Sequence, residues 1–200
     1  MKLSDLAQIQ SGLVLSRKQA RGEHICRYPL LNLRAIHSNG RINLEQIDIY
    51  DASEPLKPEY IATSGDLVVR LSSPYTAILI DEKTSGMVIS SNFVMIRTDR
   101  NRLLPEYLFW LLHTPKLKRD ILLHIDASML GTIKASYFSQ LDIDLPSLSD
   151  QDKIAELNRL ARQETELLSE LATKKEQLYT ALLQQIQHDM IKGNHHDHEK

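Results

Sequence analysis

The sequence predicts a mixed α/β (α+β) domain, a twisted mixed sheet with packed helices, followed by a long C-terminal coiled-coil helix. Three observations predict it. Residues 28–100 hold short apolar runs of strand character separated by turn signals. Residues 104–123 are rich in Leu with helical spacing, and from Ile154 apolar residues recur at a and d spacing as far as Leu182.

The strand candidates are YPLLNL, then RINLEQIDIY after the turn dipeptide Asn39-Gly40, then DLVVRL, TAILID and SNFVMIR. In the helical stretch Pro105 suits an early position, where a helix start leaves the N–H unbonded anyway, and Pro115 breaks or divides the run. Tyr107, Phe109 and Trp110 read as core residues there. Leu141, Ile143 and Leu145 alternate with Asp142 and Asp144, the period of a half-buried strand, and Pro146 stops it because it has no N–H for a ladder. Ser149 with Asp152 three residues on has the spacing of a capping box.

A helix from Ile154 to about Ile186 would extend roughly 50 Å. Its seam is Ile154, Leu157, Ala161, Leu168, Leu171, Leu178 and Leu182, interrupted by Glu164, Lys175 and Gln185. Such a seam calls for a second helix, and an identical one is the nearest available, so a homodimer through Leu157, Leu168, Leu171, Leu178 and Leu182 is expected. The expected organisation is a domain over 1–148, a spacer and dimerisation helix over 149–190, and a flexible polar tail over 191–200.

Two hundred residues suit one domain plus an appendage. No stretch is apolar enough to span a bilayer, and the single cysteine, Cys26, reads as a packing residue, so cytoplasmic residence is the default. Residues 1–150 hold 17 Lys and Arg against 17 Asp and Glu, and residues 151–200 hold 7 against 9. A nucleic-acid binder of this balance needs a segregated basic face or a partner that supplies phosphate contacts. The candidate clusters are Arg17, Lys18 and Arg21; Arg97, Arg100 and Arg102; and Lys116, Lys118 and Arg119.

The same residues give little support to an enzyme. Ser73-Pro74-Tyr75 is superficially like a Pro-Pro-aromatic adenine-holding motif but lacks the second proline, and no glycine-rich turn would cradle a nucleoside cofactor. No catalytic residues, cofactor or metal are therefore assigned, and the chain reads as non-catalytic. The sharper rival is a Mg²⁺-dependent DNA nuclease, with Asp66 before one strand and Asp81 and Lys83 after the next. The segment DEKTSG also reads as a polar hairpin turn, which is the favoured reading. A further rival is a helix-mediated assembly protein without DNA readout. Recognition fits the polar run Ser72, Ser73, Pro74, Tyr75 and Thr76 between two apolar strands, where short side chains on a rigid sheet can meet base edges or phosphates. Arg70 beside it is suited to guanine.

Residues 133–157 (IKASYFSQLDIDLPSLSDQDKIAEL) carry a hydrophobic strand-like run, a proline turn, a Gln after an acid, and Lys-Ile. Weaker motifs precede them in order: KLSDLAQIQSG at 2–12, SGDLVVRLSS at 64–73 and LPEYLFWLL at 104–112. Together these resemble the specificity subunit of type I restriction-modification enzymes, at the join between a target-recognition domain and its spacer helix. That family normally carries two such halves, and this chain has one. The resemblance implies a half-sized, sequence-specific reader of double-stranded DNA. It would direct an adenine methyltransferase subunit and a restriction/translocase subunit to a bipartite site. It also implies that Ser128, Gly131, Thr132 and Lys134, in the polar loop before residue 135, lie near DNA.

Overall fold

A computed structural model describes residues 1–22, 25–124 and 131–196. The chain divides into two units, Met1–Ala155 and Glu156–Lys200. The strands are β1 (Ala7–Ser11), β2 (Cys26–Leu31), β3 (Asp48–Ala52), β4 (Leu67–Arg70), β5 (Ala77–Leu79), β6 (Val88–Ile89) and β7 (Phe93–Thr98). The helices are α1 (Pro105–Leu112), α2 (Pro115–Leu123), α3 (Ala135–Gln140) and α4 (Leu148–His196).

The fold class is mixed α/β as expected, but the strands form two sheets instead of one. β1, β7, β4 and β5 make a four-stranded antiparallel sheet in that order. β3, β2 and β6 make a three-stranded sheet, in which β2 is antiparallel to β3 and parallel to β6. The larger sheet is covered on both faces. Leu67, Val69, Val94 and Ile96 pack with Leu103, Leu108 and Phe138 of the helical layer. Val68, Ile78, Phe93 and Met95 pack with Leu31 and Ile89 of the smaller sheet. Burial on both faces explains why LVV and FVMI read as unbroken apolar runs. Each such side chain withdrawn from water contributes about 1.5–3 kcal/mol.

Two local expectations are corrected and a third, the Asn39-Gly40 turn, is met. RINLEQIDIY is a strand only from Asp48, because the Asn43 side chain accepts from Glu45 N at 3.0 Å and caps a short 3-10 helix, Leu44–Gln46. The Asn39-Gly40 turn is real, with Gly40 N donating to His37 O at 2.9 Å, but a single bridge between Ile36 and Ile42 closes it. Residues 141–147 keep the expected alternation, with Leu141 and Ile143 buried and Asp142 and Asp144 exposed. Among the described residues they form no ladder, and one bridge joins Lys2 and Asp142. β1 was not among the expected strands, although Ala7, Gln8, Ile9 and Gln10 alternate apolar and polar.

Pro105 and Pro115 sit in the first turns of α1 and α2, and the Thr114 side chain caps α2. α4 starts earlier than expected, because Ser147 and not Ser149 makes the cap. Its hydroxyl donates to Asp150 Oδ2 at 2.7 Å while Asp150 N donates back to it at 3.2 Å. Gln151, fully buried, then locks this first turn to α1: its Oε1 accepts from Leu104 N at 2.9 Å, and its Nε2 donates to Arg102 O and Pro146 O, each at 3.0 Å. The two units divide after Ala155, so these first turns of α4 belong to the globular unit. The helix continues to His196, past residue 191, where a tail was expected. Its 49 residues extend about 70 Å. Gly12, after β1, has no room for a side chain, since a Cβ there would stand 2.1 Å from Ser90 O.

Candidate nucleic-acid interface

The polar run after β4 and the segment 131–134 meet in space. Ser72 and Thr132 form an antiparallel bridge, and Ile133 N donates to Leu71 O at 2.8 Å. The Tyr75 hydroxyl donates to Gly131 O. Gly131 has φ +72, in the left-handed region that a side chain disfavours. Arg70, at the end of β4, is held by its neighbour, with Nε donating to Ser72 Oγ at 3.1 Å. Among the described residues no carboxylate forms an ion pair with Arg70. Ser73 and Lys134 are exposed, and Ser72, Tyr75 and Thr132 are half-buried. Thr76 differs from the rest of the run: it is only 4% exposed, so its side chain is buried where a DNA-facing one was expected. Ser128 lies outside the described residues.

Thr132 and Lys134 line a cleft of about 960 Å³ that Lys116 and Arg119 of α2 also line, so one of the basic clusters shares a surface with the loop. In the other two clusters some of the cations have acidic partners. Lys18 pairs with Glu54, Arg97 with Asp66 and Arg100 with Glu106. Deeper in the cleft, the Tyr137 hydroxyl donates to Asp120 Oδ2 at 2.5 Å, and the His124 ring packs against Tyr137 with centroids 5.0 Å apart. Burial, reinforced by the Asp120 carboxylate, pushes the Tyr137 phenol far above its ordinary range, so it remains a neutral donor. None of these three was singled out from sequence, because only the packing of α2 on α3 brings them together.

The two carboxylates of the nuclease reading have structural partners. Asp66 is buried and accepts from Thr63 N at 2.8 Å, Thr63 Oγ1 at 3.0 Å, and Arg97 Nε and Nη2 at 2.8 and 2.7 Å. Asp81 accepts from Thr84 Oγ1 at 2.7 Å and Thr84 N at 2.9 Å, closing the DEKT turn. The Thr84 hydroxyl, helped by nearby amides and Lys83, holds the Asp81 carboxyl below its ordinary range. Among the described residues no group of three acid, His or Cys side chains is placed to hold a metal ion. No described helix is long and apolar enough to cross a membrane.

On α4, Leu157, Leu168, Leu171, Leu178 and Leu182 are all exposed, at 69, 59, 50, 55 and 43%. Leu160, Leu167 and Ile186 widen the same stripe.

No protein-family profile and no curated protein matches the sequence. Solved structures do match. A chain of a type I restriction-modification system, solved for its complex assembly and conformational transition, is similar at TM-score 0.62 and 17% identity, over 84% of this chain and 43% of its own. The HsdS subunit from Thermoanaerobacter tengcongensis is similar at TM-score 0.56 and 19% identity, over 84% of this chain and 46% of its own. The type I restriction-modification S subunit from M. genitalium is similar at TM-score 0.51 and 11% identity, over 83% and 39%. The chain has the fold of these S subunits. It spans less than half the length of each.

Proposed function

We propose that the chain is a half-length DNA specificity subunit of a type I restriction-modification system. It reads double-stranded DNA and leaves methylation and cleavage to an adenine methyltransferase subunit and a restriction/translocase subunit, in the cytoplasm. The observation that carries this reading is the meeting of residues 70–75 with residues 131–134 across the Ser72–Thr132 bridge, beside the cleft that holds Lys116 and Arg119. Arg70, Ser72, Ser73, Thr132 and Lys134 then read bases, while Lys116 and Arg119 grip phosphate. Such a division fits the chain's balanced charge, since only a local basic surface is needed. The Leu seam of α4 pairs with the seam of a second copy, and an antiparallel pairing of two helices inverts the two domains. The dimer therefore reads an inverted, bipartite site, with half-sites about one helical turn, roughly 34–36 Å, apart.

Competition binding with specific and scrambled duplexes tests the assignment. Arg70→Ala or Thr132→Ala lowers affinity for the specific duplex alone by about 1–3 kcal/mol. Lys116→Ala weakens binding to all duplexes alike and reduces the salt slope by about one. A specific-to-scrambled ratio unchanged by all three substitutions overturns this placement of the DNA face.

A further inference from the structure

Tyr75 occupies a backbone conformation that bulky residues rarely adopt, with φ +54. Its main chain is held there from both sides: Tyr75 N donates to Ser72 O at 2.9 Å, and Arg70 N donates to Thr76 O at 3.0 Å. Its ring is half-buried and packs on the helical face of the larger sheet. That geometry aims the hydroxyl at the carbonyl of Gly131, itself a left-handed residue at φ +72. Two unusual backbone conformations, 56 residues apart in sequence, thus face each other through one hydrogen bond. Two further ties between these segments, Ile133 N to Leu71 O and the Ser72–Thr132 bridge, are made by the backbone and are indifferent to side-chain identity.

We propose that Tyr75 is a positioning residue for DNA specificity. Its hydroxyl clasps residue 131 and so sets the conformation in which Thr132 and Lys134 meet DNA, and it donates no hydrogen bond to a base. The inference rests on the DNA-reading function proposed above and deepens it. A phenol that donates inward to a carbonyl has committed its one proton, so it has no hydrogen left to donate to a base while its tie to residue 131 is kept.

Tyr75→Phe in the full chain removes the hydroxyl and keeps the ring. Amide exchange followed by NMR reads the clasp directly: the Ile133 amide should exchange about five-fold faster, as expected for one lost hydrogen bond of about 1 kcal/mol. The amide of Met95, in the centre of the larger sheet, should keep its rate. Selection from a pool of random duplexes reads the consequence. Wild type should enrich a motif, and Tyr75→Phe should enrich one that is degenerate at some of the same positions. Gly131→Ala, which disturbs the same contact from the loop side, should relax the motif at the same positions. An unchanged Ile133 rate, or the same motif enriched equally by Tyr75→Phe, overturns the inference. Faster exchange at Ile133 and Met95 together would make Tyr75 an ordinary core residue and overturn it too. A wild-type chain that enriches no motif overturns the proposed function instead, and exchange at Ile133 then decides the clasp.

Discussion

Asp66 separates a metal-dependent nuclease from a DNA reader, and Asp66→Ala puts a magnitude on the difference. The carboxylate accepts four hydrogen bonds, two from Thr63 and two from Arg97, and its side chain is 2% exposed. Breaking a buried ion pair costs about 3–5 kcal/mol when the orphaned charge stays buried. Here the orphan is Arg97, whose side chain is 38% exposed and can turn to water. The expected loss is therefore smaller, about 2–3 kcal/mol, mostly from the Thr63 donors and the lost charged hydrogen bonds. The reverse substitution, Arg97→Ala, strands the buried partner and should cost at least as much. Urea unfolding followed by fluorescence of Trp110, the single tryptophan, reports on the globular unit apart from the long helix. Stability of Asp66→Ala within about 0.5 kcal/mol of wild type, the range of an ordinary surface change, would refute the structural role. Mg²⁺-dependent cleavage by the pure wild-type protein, lost in a still-stable Asp66→Ala, would restore the nuclease.

How much of this was legible in sequence follows from which contacts are local. The strand runs LVVR and FVMIRT and the prolines at 105 and 115 announce their elements through residue type alone. Alternation at Leu141, Ile143 and Leu145 correctly marks which side chains turn inward, but it is silent on whether a neighbouring strand exists, and only Lys2 bridges that segment. Ser147 and Ser149 both stand three residues before an aspartate, so the pattern alone does not choose between them. The buried Gln151 is bonded to Pro146 O and to the start of α1 in the turn that Ser147 caps. Asp66 looked like a free acid beside a strand because its partner is 31 residues away. The antiparallel register that sets Leu67 against Ile96 brings Asp66 beside Arg97, and register is a tertiary property. The same limit applies at the candidate site. Each polar segment was visible by composition, but the bridge from Ser72 to Thr132 joins residues 60 positions apart, and the inward turn of Thr76 depends on the strand that follows it.

Three further outcomes are expected. Because the Thr84 hydroxyl holds Asp81 below its ordinary range, the turn's contribution to stability is present above about pH 4, the unfolded value, and is lost as pH falls through the lower folded value. In Thr84→Ala a carboxyl NMR titration should find the Asp81 midpoint moved up, and an unmoved midpoint removes the hydroxyl as the cause. Gln151→Leu leaves the Leu104 amide and two carbonyls without the partners described above, and should cost about 1–3 kcal/mol in the same urea assay, while a neutral result would mean that water reaches them. Finally, Leu171→Lys with Leu178→Lys sets two ammonium groups two turns apart on the exposed Leu stripe. If a second copy covers that stripe, light scattering should report a dimer for wild type and a monomer for the double variant. Trp110 fluorescence should be unchanged, because Trp110 belongs to the other unit. A wild-type chain that is monomeric at micromolar concentration refutes self-pairing, since an apolar stripe of this length, paired with itself, buries enough surface to hold at that concentration.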